Sequence, residues 1–442
     1  MKRSSKLKKG PALWKKAITL IPGGNQLLSK RSEMFLPDHW PSYYEKAKGV
    51  NVWDLDGRKL VDMSLMGVGS CVLGYANADV NAAVKKAIDK GNMTTLNCRE
   101  EVELAEKLIE LHPWARMVRF ARTGGEACAV AVRIARVASG KDKVLFCGYH
   151  GWADWYLASN LSDIKNLEGQ LLPGLDPKGV PQGLKGTAIP FHYGNLFEFE
   201  AKVQEHGKDV GVIIMEVERN KQVDLKFLKA IRHKATMLGA VLIFDEITSG
   251  FRMRVGGMHM LHGIEPDMLI LGKAMGNGFP ISSVVGRREV MRAAQGTFIS
   301  STYWTERVGF VAALEVIRQF KKKNVSAHLK ECGEYLRQGF ERIIVENNLN
   351  AEVCGTTPLP AISLKDEKAL LIKTFFTQEM LKKGYLASTS VYLSYAHKRL
   401  LLERYLSDAA KVFSLIKKNM DAGKLEKSLE GPVCHSGFKR LA

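Results

Sequence analysis

The sequence lacks an unbroken run of about 18 apolar residues, the minimum for a membrane-spanning helix, although apolar residues make up 46% of its 442 residues. It also lacks a secretory signal, because Lys15 and Lys16 interrupt the apolar stretch that follows the basic residues 1–10. We therefore expect a cytoplasmic protein with no membrane partner. No acidic residue precedes Glu33, which leaves an organelle transit peptide open.

Cysteine is sparse and widely spaced. The seven cysteines form no CxxC pair, and their odd number excludes complete internal pairing. The spacing of a metal-ligand set is missing as well. The pattern predicts reduced thiols, as in cytoplasmic proteins, and no metal site.

Acidic residues are in deficit, since 65 Lys and Arg face 46 Asp and Glu, for a net charge of +19. Such a charge would suit a nucleic-acid-binding protein. However, apart from residues 2–9 and 321–323 the basic residues are spread along the chain, and aromatic residues are not interleaved with them. We expect no nucleic-acid partner and interpret the charge as attraction for anionic substrates or phosphate.

The chain shows no internal repeat and no low-complexity linker, and its length favours more than one domain. Short apolar runs alternate with helical patterns in the middle of the chain, which is typical of an α/β protein with a mainly parallel sheet between helices. The runs are Val144–Cys147, Val212–Met215, Val241–Phe244 and Met268–Leu271.

The ends of the chain differ from its middle. Asp56-Gly57 between two short apolar-polar runs predicts a hairpin, and the chain after about residue 320 again mixes helix and strand patterns. We predict an N-terminal arm and hairpin over 1–70, a large domain over 71–320, a C-terminal small domain over 321–424 and a tail over 425–442.

Three of the predicted strands run directly into unusual side chains. Val241–Phe244 precedes Asp245, Met268–Leu271 precedes Gly272 and Lys273, and Val144–Cys147 precedes Gly148, Tyr149 and His150. Ligands of open α/β sheets bind outside the carboxyl ends of the strands. The sequence therefore predicts an acid, an amine and an aromatic ring at one edge of the sheet.

Thr123, Gly124 and Gly125 open the helix whose apolar face begins at Ala127. A helix that begins at glycines presents free N–H groups, and its dipole favours an anion there, which indicates a phosphate site. Taken singly, these features have plainer explanations: a surface lysine, a capping aspartate, a packed tyrosine or a simple turn. Together they are the amine, acid, flat group and phosphate cradle that pyridoxal 5'-phosphate (PLP) needs.

The residues around these positions carry a family resemblance. LIFDEITSGFR (242–252), HGIEPDMLILGKAMGNGFP (262–280), VWDLDGRKLVDM (52–63), TGGEA (123–127) and YHGW (149–152) resemble motifs of the class III aminotransferases, which are fold-type I PLP enzymes. The similarity spans about residues 12–420 and is strongest to proteins like glutamate-1-semialdehyde 2,1-aminomutase. It implies a large domain with a seven-stranded-type, mainly parallel sheet, and a small α+β domain built from both ends of the chain.

The resemblance also implies residue roles. Lys273 would form the Schiff base and then move the proton of the substrate carbon, while Asp245 would partner the pyridine nitrogen. Tyr149 and Ile247 would cover the two ring faces, and Thr302 would reach the phosphate of the neighbouring subunit in a homodimer. The full predicted cofactor-binding set is Thr123, Gly124, Gly125, Tyr149, His150, Glu216, Asn220, Asp245, Ile247, Lys273 and Thr302.

Several segments depart from the family pattern. TGGEA replaces SGTEA, so Gly125 stands where relatives have a hydroxyl. GGNQLLSKR (23–31) places Lys30 or Arg31 where aminomutases have an arginine for the substrate carboxylate, and lysine lacks arginine's bidentate fork. Residues 301–307 are bulky where relatives have small residues, and SLMGVGS (64–70) replaces SWGP. These differences favour a sugar-like or other polar carbonyl acceptor over glutamate semialdehyde.

Four functions remain open from the sequence. The first is an aminotransferase that takes the amino group of a small-molecule donor and passes it to an aldehyde or keto acceptor through a pyridoxamine-phosphate form. The alternative is aminomutase-type transfer within one substrate; epimerisation or decarboxylation and a non-catalytic scaffold come after these. The presence of both Lys273 and Asp245 argues against a scaffold, because folding needs neither.

Overall fold

The computed structural model describes residues 8–170, 173–218 and 223–437, and the chain divides into two compact units. One unit comprises Met1–Gly69, Leu73–Asn77 and His328–Ala442. The other comprises Ser70–Val72 and Ala78–Ala327. The domain limits predicted from the sequence, at residues 70, 320 and 424, stay a prediction.

Strands and helices alternate through most of the chain. The strands are β1 (Tyr44–Lys48), β2 (Asn51–Asp54), β3 (Lys59–Met63), β4 (Met117–Ala121), β5 (Lys143–Cys147), β6 (Ala188–Pro190), β7 (Val210–Glu216), β8 (Val241–Asp245), β9 (Met268–Leu271), β10 (Ser282–Gly286), β11 (Ala351–Cys354), β12 (Ala361–Leu364) and β13 (Tyr385–Ala387). The helices are α1 (Lys9–Leu20), α2 (Ala78–Ile88), α3 (Arg99–Leu111), α4 (Gly124–Ser139), α5 (Asp154–Leu157), α6 (Leu196–His206), α7 (Leu225–Leu238), α8 (Arg288–Met291), α9 (Arg307–Lys323), α10 (Val325–Glu346), α11 (Ala369–Lys382) and α12 (Arg399–Asp421).

The larger unit contains a seven-stranded sheet in the order β4-β10-β9-β8-β7-β5-β6. Its pairs are parallel except for those of β10, which runs antiparallel to both β4 and β9. The fold is therefore the α/β class with a mainly parallel sheet that the sequence predicts. The parallel register brings the carboxyl ends of β5, β7, β8 and β9 to one edge, with Asp245 beside Glu216.

The central strands are apolar because both faces of the sheet are covered. Every residue of β7, β8 and β9 is buried, which is the pattern of a parallel sheet between helices. Helix α4 packs into this core through residues such as Ala127, Ala131 and Ile134.

Local signals set the ends of α4. Thr123 is its N-cap and accepts a hydrogen bond from Glu126 N, while the Glu126 carboxylate accepts from the Thr123 and Arg122 N–H groups. The helix ends at Ser139, and its C-cap is Gly140, whose φ of 66° lies in the left-handed region. These caps place the first turn of α4 at Gly124 and Gly125.

The smaller unit contains a four-stranded sheet in the order β1-β2-β3-β13 and a two-stranded sheet, β11-β12. The predicted hairpin is present between β2 and β3, with Gly57 at a φ of 80°. In the part of the chain that the structure describes, no helix combines the length and apolarity that crossing a membrane requires.

Candidate active site

Asp245 ends strand β8 and is almost completely buried, with 4% of its surface exposed. Its Oδ2 accepts hydrogen bonds from His150 Nδ1 at 2.8 Å and from Cys128 Sγ at 3.4 Å, and its Oδ1 accepts one from Ile247 N at 3.1 Å. A carboxylate offers about four acceptor positions. Among the residues that the structure describes, these donors leave one position, on Oδ1, for a further donor.

His150 and Asp245 form a buried ion pair. His150 Nδ1 faces the carboxylate, and His150 Nε2 lies 3.1 Å from the Cys147 carbonyl oxygen. Both partners are acceptors, so both ring nitrogens carry hydrogen and the ring is an imidazolium. Burial raises the pKa of Asp245, but the hydrogen bond and charge of His150, with the Ile247 N–H, hold that pKa below its ordinary value. The acid is therefore an ionised carboxylate.

Lys273 follows strand β9 and Gly272. Its side chain is half-buried, and its Nζ donates to Thr248 Oγ1 at 2.9 Å. Its φ of 43° lies in the left-handed region, which non-glycine residues rarely adopt. Such a conformation is uncommon outside sites where the surroundings enforce it, and here it directs the backbone into the short 3-10 turn at residues 273–276.

Ile247 lies between the first turn of α4 and the residue before the lysine. A Cβ placed on Gly124 would lie 2.7 Å from Ile247 Cδ1, and a Cβ on Gly272 would lie 3.6 Å from Ile247 Cγ1. The three residues are therefore neighbours, which joins α4, the β8 end and the β9 end into one site. Glycine at 124 is the residue that leaves room for the isoleucine.

Tyr149 follows strand β5 and Gly148. Its N–H donates to Glu216 Oε2 at 3.2 Å, which connects the β5 and β7 ends. Gly148 before it has a φ of 108°, and a Cβ there would lie 2.5 Å from the same Glu216 oxygen. Only glycine fits this position. The ring of Tyr149 is half-buried and meets that of Tyr156 edge-on at 5.9 Å.

The space beside Gly125 is filled by Trp152. A Cβ on Gly125 would lie 3.3 Å from both Cδ1 and Nε1 of the indole, and a Cβ on Gly151 would lie 2.8 Å from Gly125 Cα. The segment after β5 thus packs directly on the first turn of α4. The indole of Trp152, which is 72% exposed, therefore lies against the first turn of α4 at the surface.

The structure brings most of the predicted set together, with two exceptions. The joined residues are Thr123, Gly124, Gly125, Tyr149, His150, Glu216, Asp245, Ile247 and Lys273. Thr302 is exposed and lies in a short 3-10 helix, where its carbonyl accepts from Thr305 Oγ1 at 3.0 Å. Asn220 lies outside the described residues.

Three contacts of this site were not predicted from the sequence. Thr248 accepts from the Lys273 amine, Cys128 donates to Asp245, and Glu246 accepts from His259 Nδ1 at 2.7 Å deep in the core. Thr248 and Glu246 belong to the conspicuous 242–252 segment, so their position was available as a signal. Cys128 carried no such signal, because a cysteine in an apolar helix face is ordinarily core.

The arrangement of Cys128, His150 and Asp245 also bears on metal binding. One ligand atom of each lies within 4.8 Å of the others. Two of the three separations are hydrogen bonds onto the same carboxylate oxygen, at 2.8 and 3.4 Å. The hydrogen bonds to Asp245 therefore account for the short distances among these three side chains without a metal ion.

Comparison with known proteins decides the family. Residues 37–393 match the family model described as Aminotransferase class-III. The chain belongs to the class-III aminotransferases. It is 31% identical to the 3-aminobutyryl-CoA aminotransferase of Cloacimonas acidaminovorans, over 86% of this chain and 89% of that protein. It is 32% identical to a glutamate-1-semialdehyde 2,1-aminomutase of Methanothrix thermoacetophila, over 91% and 95%.

The fold agrees with this assignment. The solved structure of the Sphingopyxis sp. MTA144 FumI protein in a PLP-bound form superposes with a TM-score of 0.84, at 23% identity, and the match covers 94% of this chain and 98% of that one. The fold is that of the fold-type I PLP transaminases, and the cofactor of this family is PLP. The chain is therefore a PLP-dependent transaminase that moves an amino group from a small-molecule donor to a carbonyl acceptor.

The described residues fit PLP. The buried carboxylate of Asp245 keeps an acceptor position on Oδ1, which a protonated ring nitrogen needs. The N–H groups of Gly124 and Gly125 lie in the first turn of α4, where no earlier carbonyl of the helix can receive them. A primary amine, Lys273, lies on a neighbouring strand end.

Proposed function

We propose that Lys273 is the residue that binds PLP covalently. The observation that carries the proposal is that one isoleucine, Ile247, touches both the first turn of α4 and the segment before Lys273, while its N–H is bonded to Asp245. Amine, acid and anion cradle therefore belong to one site. When bound, PLP supplies an electron sink for the carbon next to the transferred amine.

In this proposal Lys273 holds and moves the proton at the substrate carbon once its amine is released. Thr248 Oγ1, 2.9 Å from the amine, orients Nζ before the substrate arrives. Asp245 would receive the ring N–H, and its charge would keep that nitrogen protonated. The imidazolium of His150 holds the carboxylate in place from behind.

The remaining roles concern binding. Gly124 and Gly125 would receive the phosphate at the positive end of α4, with Thr123 as its cap. Tyr149 and Ile247 would cover the ring faces. Glu216 would lie near the cofactor oxygen.

A spectrum of the purified protein with PLP tests the lysine. We expect an absorbance band of the bound cofactor that survives gel filtration in the wild type and is absent in Lys273→Ala. Borohydride reduction followed by peptide mass spectrometry should locate the cofactor on Lys273. Recovery of the cofactor on another lysine would refute the assignment.

Donor addition separates amino transfer between molecules from transfer within one substrate. If glutamate, glutamine or alanine alone converts the band to the pyridoxamine form, the enzyme uses a separate donor. If no donor does so while glutamate-1-semialdehyde is rearranged, the protein is an aminomutase.

For the acceptor we propose a sugar-like or other polar carbonyl compound. Bulky side chains occupy residues 301–307, where Tyr303 is 69% exposed and Trp304 packs on the core of the large sheet. A panel of keto sugars, simple aldehydes and glutamate semialdehyde, each offered to the pyridoxamine form, tests this. A preference for glutamate semialdehyde would contradict the proposal.

We also propose a homodimer in which Thr302 completes the neighbouring site. The residues around Thr302 expose apolar surface: Phe298 is 85%, Tyr303 69% and Leu96 81% exposed. The segment before Leu96 is joined to the start of α9, since Asn92 O accepts a hydrogen bond from Arg307 N at 3.0 Å. Large apolar side chains that are this exposed favour burial against a second copy.

Mixed dimers test the sharing of Thr302. A dimer of one Lys273→Ala chain and one Thr302→Ala chain should have one complete site if Thr302 acts across the interface, so mixing the two variants should raise the activity per Thr302→Ala chain above that of the Thr302→Ala homodimer. If Thr302 acts within its own chain, mixing gives no such rise. Light scattering supplies the oligomeric state. A cytoplasmic location remains part of the proposal, and fractionation of the cells that make the protein would test it.

A further inference from the structure

Cys128 is a completely buried residue of α4, with 0% of its surface exposed, and its Sγ lies 3.4 Å from Asp245 Oδ2. Burial first, and then the Asp245 charge, raise the pKa of the thiol well above its ordinary value. The sulfur therefore carries its hydrogen. Since an ionised carboxylate can only accept, the S–H donates to Asp245.

The two donors on Oδ2 differ in strength. The imidazolium of His150 approaches to 2.8 Å and is a charged donor, whereas the thiol is a weak donor at a longer distance. Together they occupy Oδ2, and Ile247 N–H occupies part of Oδ1. The carboxylate plane is thereby fixed from three directions.

We propose that Cys128 is a positioning residue for Asp245: its thiol and His150 together hold Oδ2, so that Oδ1 is the oxygen left for the ring nitrogen of PLP. The weak S–H donor withdraws less charge from the carboxylate than a hydroxyl at the same place would. This inference rests on the proposed role of Asp245 as the acid that faces the cofactor.

Two variants change the donor in opposite senses. Cys128→Ser substitutes a stronger donor, and Cys128→Ala removes the donor. A stronger donor on Oδ2 weakens the competing bond from His150, and removal strengthens it. A residue that merely fills space would not produce effects of opposite sign.

The apoprotein gives a readout that needs neither cofactor nor activity. The Nδ1–H proton of His150, identified by 15N-histidine labelling and by its loss in His150→Gln, reports the hydrogen bond to Asp245. We expect its NMR resonance to move downfield in Cys128→Ala and upfield in Cys128→Ser. Movement in the same direction in both variants, or in neither, would overturn the proposal.

The loaded protein then tests the connection to the cofactor. With PLP labelled with 15N in the ring, the nitrogen resonance should respond to both Cys128 variants, with Cys128→Ser moving it toward the value of an unprotonated pyridine. If Asp245→Asn leaves this resonance unchanged, the proposed function fails rather than the role of Cys128. If Asp245→Asn moves it and neither Cys128 variant does, the role of Cys128 fails.

Two controls complete the design. Cys332, a buried thiol of the other unit whose Sγ donates to the His397 carbonyl at 3.7 Å, receives the same alanine and serine substitutions and should leave the His150 signal unmoved. Titration of the apoprotein with zinc sulfate should also leave it unmoved. A zinc-induced loss that EDTA reverses would identify a metal-ligand set at Cys128, His150 and Asp245 and would overturn the proposal.

Discussion

Acid should destabilise this protein through one buried histidine, His112. It is 0% exposed, its Nδ1 lies 2.7 Å from the Leu108 carbonyl oxygen, and its Nε2 accepts from Gly257 N at 2.9 Å. The ring is therefore neutral, with its hydrogen on Nδ1. Burial is the main cause that lowers the pKa of His112 from 6.5 to about 4, and the neighbouring His259 lowers it further against the opposing effect of the Leu108 carbonyl.

The sign and size of the effect follow from that pKa. Between pH 6.5 and about 4 the unfolded chain binds a proton at His112 that the folded chain does not. The contribution to stability is complete above pH 6.5, falls as the pH drops through this window and does not fall further below it. At about 1.4 kcal/mol per pH unit, the window amounts to about 3 kcal/mol of unfolding free energy.

Equilibrium urea unfolding of the apoprotein at intervals from pH 4 to pH 7.5 measures this loss of unfolding free energy. Glutamine in His112→Gln keeps a donor and an acceptor but does not titrate. Across the window the wild type should therefore lose about 3 kcal/mol more unfolding free energy than His112→Gln. His233→Gln, at an exposed position of α7, is the matched control and should follow the wild type. Parallel curves for the wild type and His112→Gln would refute the reasoning.

Three further substitutions probe the site itself. Gly124→Ala places a Cβ 2.7 Å from Ile247 Cδ1. Overpacking of this size costs about 1–3 kcal/mol, so PLP titration should show binding weakened about tenfold. Adding Ile247→Val removes the colliding Cδ1 atom and should restore the affinity. Gly148→Ala combines a φ of 108° with a contact of 2.5 Å to the Glu216 carboxylate, so we expect a loss of about 2–4 kcal/mol in urea unfolding, and an unchanged midpoint would contradict this. The Glu246 carboxylate accepts three hydrogen bonds in the core. Glu246→Gln replaces one carboxylate oxygen by an NH2 group, which can only donate, and should lower the free energy of unfolding by about 2 kcal/mol at neutral pH in the same assay.

Much of the fold was predictable because it depends on short-range patterns. Buried parallel strands are recognisable as apolar runs, and Val241–Phe244 and Met268–Leu271 are strands β8 and β9 within one residue. Thr123 followed by Glu126 three residues later is a capping box, and the structure forms it. The seven-stranded, mainly parallel sheet, the family and the cofactor were all confirmed.

The candidate site was predictable as a set of strand ends but not as a network of contacts. The topology of a parallel sheet places Asp245 and Lys273 at one edge whatever their neighbours are. It does not say that the lysine amine is oriented by Thr248, or that Trp152 fills the space beside Gly125. Those contacts depend on how side chains from different segments share a volume. The partner of Thr302 stays a prediction.

The sequence alone therefore determined the class of fold, and it predicts an amine, an acid and a phosphate cradle at the strand ends, because periodicity, caps and strand ends are properties of neighbouring residues. Only the tertiary structure decided which donors hold the acid. Cys128 and His150 are 117 and 95 residues from Asp245 in the chain, and no local pattern links them. Their hydrogen bonds exist because α4 and the segment after β5 pack against the same end of β8, and that packing is a property of the folded sheet.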